Sequence, residues 1–168
     1  MSTALIPGSF DPITLGHLDI ISRVADRFDQ VTVAVMTNDM HKYVAGVTPK
    51  AYMFLEEERL TLARLACGHL ANVRVISATG MLIDLVDRLG TDVIVKGVRN
   101  TVDFAYEQEH ALWNRAHNPR AETLYLPADP AFDGLSSTLA REKLTAGESV
   151  EGILPASVIE WINTHPRG

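Results

Sequence analysis

The sequence predicts an α/β fold: a five-stranded parallel sheet, doubly wound, with helices on both faces. Three observations carry that expectation. Short β-branched-rich runs alternate along the chain with segments whose apolar residues recur at helical spacing. The runs are nearly continuous in apolar character, as strands covered on both faces must be. Chemistry-bearing residues gather just after the runs, where open α/β sheets bind ligands.

The first run, Ala4-Leu5-Ile6, breaks at the turn signal Pro7-Gly8. The following segment carries Ser9, Phe10, Asp11, Pro12, Thr14, Gly16 and His17, and helical spacing occupies residues 18–25. A strand, a glycine-containing turn and a helix in that order aim free N–H groups and a helix dipole at one small volume, which suits phosphate. Neither GxGxxG nor GxxxxGK[ST] is present. His17 admits two readings. It donates to phosphate, neutral or charged, or it caps a tight turn shaped by Gly8 and Gly16.

Residues 31–36 form the second strand, ended by Thr37-Asn38-Asp39. Residues 38–53 read as a loop long enough for a substrate-binding lid, with an inert insertion as the alternative. Residues 54–70 read as helix, favoured at the start by Glu56, Glu57 and Glu58. Residues 73–76 are strand three. Residues 81–89 are a helix ended by Gly90. Residues 92–95 are strand four, which delivers Lys96-Gly97-Val98-Arg99 at its carboxyl end. A helix over 104–116, a strand over 124–126 stopped by Pro127, a helix opened by Leu135-Ser136-Ser137-Thr138 and a short helix over 155–162 complete the chain. The arrangement is Rossmann-like, and 168 residues fit one domain over the whole length.

Composition excludes several classes. Apolar residues make up 46% and charged residues 21%, ordinary for a globular protein. A net charge of −6 argues against a nucleic-acid partner. The single cysteine, Cys67, allows no disulfide framework and reads as a buried small hydrophobe. No signal peptide precedes the first strand and no apolar run reaches the length of a membrane span, so a cytoplasmic protein without a membrane partner is expected.

Lys96 and Arg99 around Gly97 suit a polyphosphate; the alternative is a pair of surface salt bridges. Asp103 and Glu107 share a helix face. Ser136, Ser137 and Thr138 place three hydroxyls at a helix start. An N-cap needs one, so the triplet suggests a second phosphate cradle. HExxH, close His/Cys sets and GxSxG are missing. What remains is a phosphate-handling site without an obvious covalent nucleophile. That points to direct transfer of a nucleotidyl group by positioning and charge stabilisation.

These residues resemble a known family. The run from Pro7 to His17 is similar to the signature of the T/HxGH nucleotidylyltransferase superfamily. Phe54-Leu55-Glu56-Glu57-Glu58-Arg59, residues 95–99, Asp103 to Glu107, Asn114 and residues 135–139 resemble, within it, the phosphopantetheine adenylyltransferase family. The resemblance implies transfer of the adenylyl group of ATP to 4'-phosphopantetheine with Mg2+, giving dephospho-coenzyme A and pyrophosphate. It implies catalytic roles for His17, Lys50, Ser9 and Lys96. Nucleotide contacts are implied at Gly8, Ser9, Phe10, His17, Gly97, Arg99, Glu107, Ser136, Ser137 and Thr138. Acceptor contacts are implied at Ser9, Lys50, Lys96, Met81 and Leu82. A homohexamer with coenzyme A as feedback ligand is implied too.

Three positions depart from the family pattern. The family has a lysine four residues before the Phe of its FxxxER segment, where Lys50 stands here. Lys42 is nearer in count to strand two, with an insertion between them; Lys50 is preferred because the following helix anchors its register. Ala105 replaces an acidic residue. Thr138 replaces a serine and keeps the hydroxyl. A cytidylyltransferase is the main alternative, but its Arg-Thr-Glu segment is absent before Gly134. A non-catalytic nucleotide-binding domain is the other.

Overall fold

The computed structural model describes residues 1–38, 46 and 48–166. Its elements run β1 (Thr3–Gly8), α1 (Leu15–Ala25), β2 (Gln30–Thr37), α2 (Glu56–Cys67), β3 (Val73–Thr79), α3 (Leu82–Leu89), β4 (Val93–Val98), α4 (Thr101–His117), β5 (Thr123–Pro127), α5 (Ser137–Thr145) and α6 (Ala156–Thr164). A 3-10 turn, Pro130–Phe132, precedes α5. The five strands form one sheet in the order β3-β2-β1-β4-β5, and every neighbouring pair is parallel. The chain first works outward from β1 through β2 to β3. It then crosses back to β4, so strand order reverses between β1 and β4. Loops on either side of such a reversal diverge and leave a crevice at the strands' carboxyl ends.

Side-chain alternation along the strands divides the core into two layers. Ala4, Ile6, Val31, Val33, Val35 and Val95 face one side, where Ile20, Ile21, Val24, Leu62, Ala66 and Val158 of the helices cover them. Leu5, Ala34 and Ile94 face the other, against Leu85 and Val86 of α3. Each fully buried Val, Leu or Ile contributes on the order of 1.5–3 kcal/mol. The predicted cysteine environment holds: Cys67 is buried in the first layer, and burial pushes its thiol up to about 11.

Strand four is longer than its apolar run. It continues through Val98, so Lys96 and Gly97 lie within the strand and pair with Tyr125 and Leu126 of β5. Pro127 does not stop β5 short, because it still pairs with Val98. Strand three likewise extends to Thr79, paired with Thr37. His69 falls in the turn after α2. Part of the expected loop over 38–53, including Lys42, lies outside the described residues.

Gly97 sets the distance between β4 and α1. A Cβ at this position would lie 3.0 Å from Ile20 Cγ1 and 3.2 Å from its Cδ1. Gly97, which the sequence grouped with Lys96 and Arg99 around a polyphosphate, thus also admits close approach of a core side chain. Gly97→Val overpacks this junction and should cost about 1–3 kcal/mol of stability in a denaturant titration. A loss below about 0.5 kcal/mol would show that the contact yields freely.

Candidate active site

The loop after β1 reverses sharply. Phe10 adopts a positive φ of 47°, and the Asp11–Pro12 peptide is cis. Gly8 is required by the loop itself: a Cβ there would meet the Phe10 ring at 3.0 Å. Phe10 is buried and its ring meets the His17 ring edge-on, with centroids 5.2 Å apart. Gly16 is different, since a Cβ would make only ordinary contacts, the nearest at 3.6 Å to Thr14 Oγ1.

The two readings of His17 turn out to be compatible. The Thr14 amide donates to His17 Nδ1 at 3.0 Å, and Thr14 Oγ1 accepts from the His17 amide at 3.3 Å, which makes a capping box on α1. An accepting Nδ1 puts the proton of the neutral ring on Nε2, which remains as a donor. Burial, followed by the nearby Arg99 and Lys96 charges, pushes the His17 pKa down to about 4. The imidazole is therefore uncharged at neutral pH.

Lys50 Nζ donates to Ser9 Oγ at 2.8 Å. Burial, then the Arg141 charge, lowers its pKa from the ordinary lysine value; Arg59 adds to the lowering and Asp11 opposes it. The segment carrying Lys50 is fixed from several sides. The amides of Met53 and Phe54 donate to the two carboxylate oxygens of Asp11, each at 2.9 Å. Tyr52 Oη accepts from the Asn38 amide at 2.8 Å. Beneath it lies the Arg59 guanidinium, 4.0 Å from the centre of the Tyr52 ring. Arg59 is 1% exposed. It donates to the carbonyls of Ser9 and Met36 at 2.7 and 3.0 Å and to Thr37 Oγ1 at 2.8 Å.

On the opposite wall, the cations of β4 and its exit are already paired. Lys96 Nζ lies 3.2 Å from Glu107 Oε2, and Arg99 Nε lies 3.2 Å from Asp103 Oδ2. Arg99 Nη1 also reaches the Leu135 carbonyl at 3.3 Å. The shared face of Asp103 and Glu107 thus orients the two cations. The third wall is the start of α5. Ser136 Oγ accepts from the Leu139 amide at 3.0 Å as the N-cap, as the simpler reading required. Ser137 Oγ donates to the Pro12 carbonyl at 2.8 Å, and Thr138 Oγ1 accepts from Arg141 Nη2 at 3.2 Å.

These walls enclose a cavity of ≈360 Å³ at the carboxyl ends of β1 and β4. Ser9, Phe10, His17 and Lys50 line it. Gly97, Arg99 and Glu107 line it from the β4 side, and Ser136, Ser137 and Thr138 from α5. Gly8 stays behind Phe10, and Lys96 reaches the wall through Glu107. Met81 and Leu82 stand at the start of α3, outside this lining. Sequence reasoning assigned no role to Asp11, Arg59 or Arg141. The spacing of Arg141, three beyond Thr138 on a helix, was the available signal for one of them.

The model of the cytidylyltransferase-like family matches residues 5–143. The chain is 42% identical over 160 residues to the phosphopantetheine adenylyltransferase of Limosilactobacillus reuteri, covering 95% of this chain and 87% of that protein. It is 43% identical over 155 residues to that of Symbiobacterium thermophilum, covering 92% and 90%. Among solved structures, the fold is similar to a putative nicotinate-nucleotide adenylyltransferase from Vibrio parahaemolyticus, with a TM-score of 0.68, 19% identity and coverage of 98% and 93%. That likeness speaks for the fold alone. With the crevice, its hydroxyl triplet and its neutral histidine in view, these matches make the chain a member of the phosphopantetheine adenylyltransferase family, within the cytidylyltransferase-like nucleotidyltransferases.

Proposed function

We propose that the chain transfers the adenylyl group of ATP to 4'-phosphopantetheine, giving dephospho-coenzyme A and pyrophosphate. One observation carries the proposal: the Lys50–Ser9 pair, the uncharged His17 and the hydroxyl triplet border a single cavity. An oxygen of the acceptor phosphate attacks the α-phosphorus of ATP in line, the bond from that phosphorus to the bridging oxygen breaks, and pyrophosphate leaves. The attacking oxygen is already anionic, so no general base is needed. Cys67 is buried away from the site, in keeping with transfer that forms no covalent bond to the enzyme.

His17 Nε2–H donates to the α-phosphate as negative charge builds there. A neutral donor in a water-poor site does this without the reorganisation that water would require. Lys50 and Ser9 hold the acceptor phosphate against the α-phosphorus from one wall, and Lys96 acts from the opposite wall. Gly97, Arg99 and Glu107 border the nucleotide, and Ser136, Ser137 and Thr138 hold its outer phosphates at the α5 start. Met81 and Leu82 line the path of the pantetheine arm.

Among the described residues no group of three His, Cys, Asp or Glu side chains could hold a metal ion. The carboxylates near the cavity are engaged by the Met53 and Phe54 amides, by Arg99 and by Lys96. In this reading magnesium accompanies the phosphates of ATP as part of the substrate.

No helix among the described residues is long and apolar enough to cross a membrane. A cytoplasmic place of action is part of the same proposal. It assembles as a homohexamer with coenzyme A as a feedback ligand. Contact between copies, though not their number, is supported by α4, which has no buried residue of its own and exposes Val102, Tyr106, Leu112 and Trp113.

A pyrophosphate-release assay with ATP and 4'-phosphopantetheine tests the activity. Turnover is expected with ATP and not with CTP; ATP binding without turnover would sink the proposal. In the same assay His17→Ala should lower kcat by about a hundredfold or more, with a smaller change in KM. An unchanged kcat with only KM raised would assign His17 to ground-state binding instead.

The charge state of His17 has its own test. The unfolded ring takes up its proton near 6.5 and the folded ring near 4. Between those values the unfolded chain binds more protons, so stability falls as the pH drops through the window. In NMR of the free protein, the His17 ring signals should stay unshifted from roughly pH 8 down to roughly pH 5.5. A midpoint near the ordinary histidine value would contradict the neutral-donor role.

A further inference from the structure

Lys50 is the cation assigned to the acceptor phosphate, yet few contacts order its side chain. The residue is exposed, and its Nζ donates to the neutral Ser9 Oγ at 2.8 Å. Among the described residues no carboxylate lies within ion-pair distance of it. Arg141 and Arg59 add like charge nearby, and the Asp11 carboxylate that opposes them has both oxygens engaged by the Met53 and Phe54 amides. A lysine side chain left to itself samples many rotamers, and ordering it costs entropy that its contacts must offset.

The half-buried Tyr52, two positions on, supplies what is missing. The centre of its ring lies 5.3 Å from Lys50 Nζ and 4.0 Å from Arg59 Cζ. Both cations are within reach of the negative ring face. The ring is itself fixed, because Tyr52 Oη accepts from the Asn38 amide at 2.8 Å, one residue beyond the end of β2. Arg59 is anchored independently of the ring, through the Ser9 and Met36 carbonyls and Thr37 Oγ1. An ordered path of contacts therefore runs from the buried guanidinium through the ring to the exposed ammonium. The opposite wall orders its cations differently, with Glu107 on Lys96 and Asp103 on Arg99. A carboxylate orients a cation and cancels its charge. An aromatic face orients it and brings no net charge, so the full positive charge of Lys50 remains for an arriving phosphate.

We infer that Tyr52 is a positioning residue for the acceptor: its ring holds the Lys50 ammonium beside Ser9 without neutralising it. The inference rests on the reading of Lys50 as the group that meets the acceptor phosphate. The test is kcat/KM for 4'-phosphopantetheine at saturating ATP, with calorimetric ATP affinity measured alongside, on the full chain. Four proteins are compared: unmodified, Tyr52→Phe, Tyr52→Leu, and one with Tyr52 replaced by trifluorophenylalanine. Fluorine withdraws electron density from the ring face and leaves the ring's shape nearly unchanged. Tyr52→Leu should lower kcat/KM for the acceptor about fivefold or more and Tyr52→Phe by less than about twofold, with ATP affinity within about twofold throughout. The trifluoro ring should fall about threefold or more below the Phe variant, a loss that packing alone does not produce. A trifluoro ring equal to Phe would reduce Tyr52 to a packing residue and overturn the inference. A Phe variant as poor as Leu would shift the role to the hydroxyl on Asn38, and a parallel loss of ATP affinity would mark general damage to the site; either result overturns it too. If Tyr52→Leu does not fold, the Phe and trifluoro pair decides. Failure of the transferase reading looks different: the unmodified protein itself would bind ATP yet release no pyrophosphate with 4'-phosphopantetheine.

Discussion

The Asp11 carboxylate is 2% exposed and needs hydrogen bonds to offset its lost water, and the amides of Met53 and Phe54 supply them at 2.9 Å each. Hydrogen bonds to a charged group contribute about 1.5–3 kcal/mol apiece, and leaving such a group unsatisfied costs more. The same residue's carbonyl receives Arg141 from α5. One position after β1 therefore holds three segments: the loop with Ser9, the segment with Lys50 and the helix with the hydroxyl triplet. Arg59 reinforces the junction from below through the carbonyls of Ser9 and Met36. The cavity exists because these segments diverge from the β1–β4 crevice and are drawn together again at Asp11.

Charge follows the same plan. On the β4–α4 side each cation has its carboxylate, so that wall is near neutral before any ligand arrives. On the Asp11 side cations outnumber carboxylates, and their mutual repulsion is held in place by packing and by the Tyr52 ring. A site loaded in this way favours a polyanion without rearranging. The chain's overall negative charge does not oppose it, because the field that matters is local. The neutral His17 belongs to the same logic: burial, aided by the neighbouring Arg99 and Lys96 charges, removes its proton and leaves a dipolar donor among fixed charges.

Most of the fold was legible because strand signals in a doubly wound sheet are short, apolar and separated by helical periods. The reading shortened β4 where Lys96 and Gly97 interrupt the apolar pattern, although the backbone continues pairing with β5. The hydroxyl triplet, Ser9 and His17 could be grouped from sequence, since each follows a strand or opens a recognisable helix, whereas Lys50 joined them only through the family resemblance. The connectors could not. Asp11 meets Phe54 across 43 positions, Arg59 meets Ser9 across 50, and Arg141 meets Asp11 across 130. Local pattern carries no information about such partners, and a buried arginine in a Glu-rich segment reads as surface charge. The dual use of Gly97 and Gly8, each facing a side chain, was hidden for the same reason.

The central claim is that the Asp11 junction assembles the site, and Asp11→Asn tests it with almost no change of shape. The amide keeps one acceptor and turns an N–H group toward a backbone N–H, so one of the two bonds to Met53 and Phe54 is lost. The decisive measurement is kcat for pyrophosphate release by folded Asp11→Asn at saturating ATP and 4'-phosphopantetheine. The account predicts a fall of about tenfold or more, because Lys50 and Ser9 are no longer held in register. A kcat within about twofold of the unmodified protein would contradict it.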